Sequence, residues 1–281
     1  MNGTMNKNNA RPHPPDLNDL NNKIETYIGD YPAKLAKKDF ISFMGNPEDK
    51  DLEKPNMPIR KFDNWLRTGV RTYGCDGTVY RSKRVLNHRI SILGKENCDR
   101  NTKENPQGKK ELRPVHDEHA FPVNLRSKIL YNKNKREVLS FNEICEFIFL
   151  TQAVVCVTAR AALDQEGKCD KDSLSKPRKI GQRSKKTWGK KHPNIKHTFK
   201  TAKTFNDPLQ VFFFDLDGNP ISFDEIPVFS RYIGTDIEIS RYNEETDGFK
   251  SVNVHNYKMK DHFEYMRNMY PEALEKIRGL N

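Results

Sequence analysis

The fold class this sequence predicts is α+β, mixed strands and helices behind an N-terminal segment expected to be disordered. Three observations lead to it. Ser140, with Glu143 three residues later, marks a capped helix that runs into the short β-branched segment Val154–Thr158. The apolar run Leu209–Phe214 is followed by Asp217-Gly218-Asn219-Pro220 and a returning apolar stretch, Ile221–Phe229, which reads as a hairpin. Tyr257–Ile277 carries methionines and aromatics and is expected to close the chain as a helix.

Taken in order, residues 1–20 are rich in Asn and Pro and are expected to be disordered. Asn21–Ala36 reads as a short helix, and Ile59–Arg67 as a strand or helix anchored by Trp65. Val70–Tyr80 reads as a hairpin around Asp76-Gly77. Thr78–Ile92 has mixed period, and Glu96–Leu112, with Pro106 and Gly108, reads as a loop. Within the apolar heart, Phe141, Ile144, Cys145, Ile148 and Phe149 fall at helical spacing. Val154–Thr158 is the buried strand that follows, and Ala159–Gln165 reads as a second short helix. Ile237–Ile239 is a further strand. The expected organisation is therefore 1–20, 21–112, a core at 113–170, a basic segment at 171–203, and a hairpin-and-helix region at 204–281.

The 281 residues hold 49 Lys and Arg against 38 Asp and Glu, a net charge of +11. Residues 171–203 contain 12 of the basic residues and one acid, Asp172, while the rest of the chain balances at 37 against 37. Such a block cannot bury itself and is either solvated or neutralised by a polyanion. Trp188, His192, His197 and Phe199 interleave aromatic faces with the charge, which suits phosphate contact combined with stacking on bases. The expected contacts are Arg178, Lys179, Arg183, Lys185, Lys186, Trp188, Lys190, Lys191 and Lys196. A solvated linker and an acidic membrane surface are the competing readings of the block.

No run of 18 apolar residues is available to span a bilayer, and the N-terminus lacks an apolar signal region. The five cysteines are odd in number and widely spaced, which points to reduced thiols in a cytoplasmic chain. Phosphate-binding loops of the G-x-x-x-x-G-K-[ST] and strand-linked G-x-G-x-x-G kinds are absent, as is G-x-S-x-G. Simple NTPase, dinucleotide-dehydrogenase and α/β-hydrolase readings fall with them.

The densest titratable cluster is His116-Asp117-Glu118-His119, followed by Ala120-Phe121-Pro122. On a strand, alternation places His116 and Glu118 on one face and Asp117 and His119 on the other. A carboxylate beside an imidazole offers a ligand for a hard cation and a base for water, the two needs of phosphodiester hydrolysis. A polar surface strand without chemistry is the plain alternative.

Glu118-His119-Ala120-Phe121-Pro122 resembles the opening element of HNH, or His-Me finger, nucleases. The resemblance implies a ββα-metal core, with Glu118 as a metal ligand and His119 as general base; His116, Asp117 and Asp164 are the expected supports. It also implies a divalent cation, Mg²⁺ or Mn²⁺, and an Asn from among Asn132, Asn134 and Asn142. The family closes its motif with a ligand on the final helix. This chain has none in the first turn after Val154–Thr158, where Asp164 is the nearest candidate and His192, Asn194 and His197 lie further on.

Two other strings have competing readings. His192 and His197 are five apart around Pro193, a spacing that suits phosphate or base contacts, or a plain loop, better than a zinc site. Phe212-Phe213-Phe214-Asp215-Leu216-Asp217-Gly218 resembles the first motif of haloacid-dehalogenase-like phosphatases. Only 64 residues follow Asp217, and Asn219-Pro220 suits a hairpin turn instead. The expected function is metal-dependent cleavage of nucleic acid, DNA first, by a cytoplasmic protein with no membrane partner, a homodimer being one option. A non-enzymatic nucleic-acid-binding protein and a structural or assembly protein are the alternatives.

Overall fold

A computed structural model describes residues 7–13, 75–89, 91–94, 103–104, 110–111, 114–121, 140–158, 162–163, 169–170, 196–200, 210–214, 219–229, 232–233 and 236–279. The fold is α+β, as expected. Its centre is a five-stranded mixed sheet built from β1 (Tyr80–Ser82), β4 (Val115–His119), β5 (Val154–Thr158), β11 (Ile239–Asn243) and β12 (Gly248–Ser251). Their order is β12-β11-β1-β5-β4; β1 and β5 are parallel and the other neighbours antiparallel. The sheet therefore draws strands from three of the five expected segments.

One face of the sheet carries the main core. Tyr80, Val155, Val157 and Ile239 pack there against α2 (Phe141–Leu150), α3 (Met259–Met269) and α4 (Pro271–Arg278), which contribute Ile148, Phe149, Met266, Leu274 and Ile277. Each such fully buried apolar side chain is worth about 1.5–3 kcal/mol over an exposed one. The opposite face carries a smaller cluster: Val115 and Cys156 meet Val85 of α1 (Lys83–Asn87) and Ile92 and Leu93.

The cap at Ser140 forms as the sequence predicts. Ser140 Oγ accepts from Glu143 N–H at 3.4 Å, and Ser140 N–H donates to Glu143 Oε2 at 2.7 Å. Ser140→Ala is expected to cost about 1 kcal/mol of stability, measured by urea denaturation, because the Oγ acceptor of Glu143 N–H is lost while the backbone N–H to Glu143 remains. At the other end of the helical layer, Pro271 opens α4. The single expected helix over Tyr257–Ile277 is thus two, because proline suits a first turn and breaks a helix interior.

Several expectations are corrected. Residues 7–13, inside the segment expected to be disordered, pack onto the sheet: Asn8 is fully buried and its Oδ1 accepts from Ile92 N–H at 2.9 Å. The turn at Asp76-Gly77 is a single 3₁₀ turn, Cys75–Gly77, leading into β1. That strand pairs with β5 and β11, not with a hairpin partner. Within the expected loop, β2 (Lys103–Glu104) and β3 (Lys110–Glu111) pair with Lys opposite Glu in both positions, a favourable charge register.

Where a helix was expected after Thr158, β6 (Ala162–Leu163) pairs with β7 (Cys169–Asp170). The end of the basic block forms β8 (Lys196–Lys200), antiparallel to β9 (Gln210–Phe214). The expected hairpin closes as β9 meets β10 (Pro220–Ile221), with Pro220 opposite Phe214. That antiparallel return agrees with a turn after β9, not with the strand-to-helix loop of a phosphatase. The expected elements Asn21–Ala36 and Ile59–Arg67 lie outside the described residues. Among the described residues no helix is long and apolar enough to cross a membrane. Cys145 and Cys156 are free and buried, and burial pushes the Cys145 thiol upward in pKa.

Candidate functional site

The string His116-Asp117-Glu118-His119 lies on β4, at one edge of the sheet. Valine-rich β5 holds it in register: His116 opposite Val157, Asp117 opposite Cys156, Glu118 opposite Val155, His119 opposite Val154. One further bond, Ala120 N–H to Ala153 O at 2.8 Å, and the burial of Phe121 against Phe223 fix the end of the strand. Four titratable side chains are thus set on a short, well-anchored segment.

Their faces alternate as expected. Glu118 is only 2% exposed and its Oε2 accepts from Tyr232 O–H at 3.4 Å; Tyr232 belongs to the main core, so Glu118 points to the helix-covered face. Asp117, also 2% exposed, stands opposite Cys156 of the second cluster and shares its face with His119. His116 and His119 are both half-buried. The carboxylate on the face of His119 is therefore Asp117. Glu118 sits on the other side of the strand, and one cation cannot readily take both Glu118 and a partner on the His119 face. Among the described residues no group of three or more His, Cys, Asp or Glu is placed to hold a metal ion.

The order of elements also differs from a hairpin followed by a helix. Helix α2 lies between β4 and β5 in the chain, although the two strands pair directly. Asn142 lies in the first turn of α2. Its Nδ2 donates to Arg278 O at 3.1 Å, and its Oδ1 accepts from Glu143 N–H at 3.1 Å, so it serves the helix cap and the α2–α4 contact. Asn132, Asn134, Asp164, His192 and Asn194 lie outside the described residues. So do Arg178, Lys179, Arg183, Lys185, Lys186, Trp188, Lys190 and Lys191. Lys196 and His197 fall on β8, opposite Phe214 and Phe213.

Sequence reasoning missed two polar arrangements. The first is Arg81, fully buried in β1: Nη1 donates to Asn8 O at 2.7 Å and Ala10 O at 2.8 Å, Nη2 donates to Asp76 O at 2.9 Å, and the guanidinium lies 4.5 Å from the Phe249 ring centre. The second is a hydrogen-bonded chain on the helix-covered face. Arg241 Nη1 donates to Tyr257 Oη at 3.1 Å, the Tyr257 and Tyr80 hydroxyls are 3.0 Å apart, and Tyr80 Oη is 2.7 Å from His262 Nδ1.

His262 is fully buried, and burial pulls its pKa down to about 3, with the Leu150 backbone opposing and Arg241 reinforcing the shift. The ring is neutral at pH 7, and with Nδ1 as acceptor the donors run one way, from Arg241 through Tyr257 and Tyr80. Burial likewise pushes the Tyr80 and Tyr257 hydroxyls up in pKa. No periodic signal marks these residues, because Tyr80, Arg241 and His262 come together only through strand pairing and helix packing.

Compared with protein-family models, with curated proteins and with solved structures, the chain finds no match.

Proposed function

We propose that this chain acts on nucleic acid, DNA first, and hydrolyses its phosphodiester bonds with His119 as the base that takes a proton from the attacking water. The observation that carries the reading is that a half-buried imidazole, His119, and a buried carboxylate, Asp117, share one face of an edge strand. A neighbouring carboxylate favours the imidazolium formed when the base accepts its proton. The half-buried position leaves the ring an approach from solvent. The concentrated positive charge of residues 171–203 supplies the polyanion affinity such an activity needs. His116 lies on the opposite face with Glu118, which supports a positioning role and not the role of base.

The expected divalent cation, Mg²⁺ or Mn²⁺, meets two donors on the His119 face among the described residues, short of a ligand set. Further ligand candidates named from the resemblance, Asp164, His192 and Asn194, lie outside the described residues, so the cation stays part of the proposal. That shortage, together with the engagement of Glu118 by Tyr232, favours one second reading: a binding protein that holds nucleic acid without cutting it.

Nicking of supercoiled plasmid, with Mg²⁺ or Mn²⁺ against EDTA, separates the two. His119→Ala is expected to lower the cleavage rate by about 10²–10⁴-fold, the range for loss of a general base, while gel-shift affinity stays unchanged. Cleavage that persists in the variant moves the site elsewhere. Salt-sensitive binding with no cleavage of diverse plasmids leaves the binding protein.

A further inference from the structure

The hairpin β11–β12 carries a cationic site away from both β4 and the basic block. Arg241 is half-buried and surrounded by tyrosines: its guanidinium carbon lies 4.4 Å from the Tyr265 ring centre and 5.3 Å from that of Tyr257. Of its five N–H donors, one is used in bonding Tyr257 Oη. Burial works against its charge, and the Tyr257 hydroxyl with the nearby phenols outweighs it, so its pKa is raised.

The carboxylates that act on the neighbouring tyrosines are engaged with other groups. Glu244 pairs with Arg11 at 2.8 Å, Asp247 accepts from the Tyr242 hydroxyl, and Asp261 accepts from Lys258 N–H at 2.8 Å. Directly across the ladder from Arg241 stands Lys250, exposed, on the edge strand β12. Cross-strand partners share a face with their Cβ atoms about 4.5–5.5 Å apart, and like charges so placed repel.

A stacked, oriented guanidinium with spare donors across the ladder from an exposed ammonium is the arrangement that an oxyanion turns from repulsive to attractive. The guanidinium fork binds two oxygens in its plane and the ammonium supplies a point charge from the side. The Tyr265 and Tyr257 rings hold the fork in place, so little of its freedom is lost on binding.

We propose that Arg241 and Lys250 form a phosphate subsite that grips the nucleic-acid backbone, with Tyr257 and Tyr265 orienting the guanidinium. The proposal rests on the reading of the chain as a nucleic-acid-acting protein. It adds a backbone contact at the sheet edge opposite β4, since β12 and β4 bound the five-stranded order. Arg241 and Lys250 lie on the helix-covered face and His119 on the other, so the subsite is a separate backbone contact and does not align a strand with His119 across one face.

Binding of the full chain to a fluorescently labelled 20-nucleotide oligonucleotide tests this, followed by anisotropy over a salt series. Lys250→Gln, on an exposed side chain, is expected to weaken binding about 3–10-fold at 0.1 M salt. It should also reduce the slope of log affinity against log salt by about 1, equally for oligonucleotides of different sequence. Arg241→Gln should do the same, with its thermal midpoint compared first to that of Lys250→Gln. Wild-type binding with affinity and slope unchanged in both variants overturns the subsite.

If the wild type binds no nucleic acid, the functional reading itself fails, and titration with inorganic phosphate and pyrophosphate decides the site. A shift of the Arg241 Nε resonance that is lost in Lys250→Gln retains a phosphate subsite. The absence of any shift overturns it.

Discussion

Replacing Arg81 with alanine is expected to remove about 3–5 kcal/mol of unfolding free energy, or to prevent folding. Arg81 is fully buried, and its guanidinium donates to three backbone carbonyls, Asn8, Ala10 and Asp76, that come from two separate stretches of chain. A hydrogen bond from a charged donor is worth about 1.5–3 kcal/mol, and carbonyls left buried without a donor add their own desolvation penalty. The contact with the Phe249 ring and the volume of the side chain are lost as well.

Urea denaturation gives the magnitude, and hydrogen exchange gives the mechanism. The amides of Ile92 and Leu93 donate to Asn8 Oδ1, so they should lose protection in the variant before the helix α2 amides do. Arg81→Met, which keeps much of the volume, separates packing from donation. A loss below about 1 kcal/mol in Arg81→Met would show that packing, and not the three carbonyl bonds, holds residues 7–13 in place.

Acid is expected to destabilise the fold through His262, by about 4–5 kcal/mol across the full titration. The imidazole has its ordinary value of 6.5 when the chain is unfolded and about 3 when buried. The unfolded state therefore binds a proton that the native state refuses. Stability from this group is complete above pH 6.5, falls as pH drops below it, and is exhausted near pH 3.

Of the groups facing the ring, the Leu150 backbone opposes the shift and the Arg241 charge reinforces it, while Tyr80 Oη lies 2.7 Å from Nδ1. The test is the difference in unfolding free energy between wild type and His262→Phe at pH 7.5 and at pH 4.5. That difference should shift by about 2–3 kcal/mol in favour of the variant at the lower pH, because phenylalanine does not titrate. A difference independent of pH would mean that the ring protonates without leaving its place.

The parts of the fold legible in the chain are those dictated by neighbours in sequence. The Ser140–Glu143 box, the apolar spacing of α2, the β-branched β5 and the return of the chain after β9 all depend on residues within about ten positions of one another. The readings that failed depend on distant partners. Residues 159–165 carry helix-forming alanines, yet Ala162–Leu163 pairs with Cys169–Asp170, because a ladder partner outweighs a weak local propensity. The Asn-rich start of the chain contains a residue, Asn8, that is buried because Arg81, His88, Ile92 and Leu93 satisfy its polar groups.

The candidate site divides in the same way. That His116, Asp117, Glu118 and His119 would alternate between two faces is a property of any strand, and it was readable before the partner was known. Which carboxylate would stand on the face of His119 followed from that alternation too, while the resemblance to His-Me finger nucleases pointed to Glu118 instead. Burial decides what each does: Glu118 meets Tyr232, 114 positions away, and Asp117 turns toward the cluster around Cys156.

By itself, then, the sequence determined the mixed α+β class, the place of the charge excess and the segment that holds the two imidazoles. Only the tertiary structure decided the sheet order, the buried role of Arg81, the Tyr80–His262 chain and the meeting of Arg241 with Lys250. Periodicity and local charge act over a few residues and leave a mark on composition. Strand pairing and hydrogen bonds between residues as far as 182 positions apart leave none.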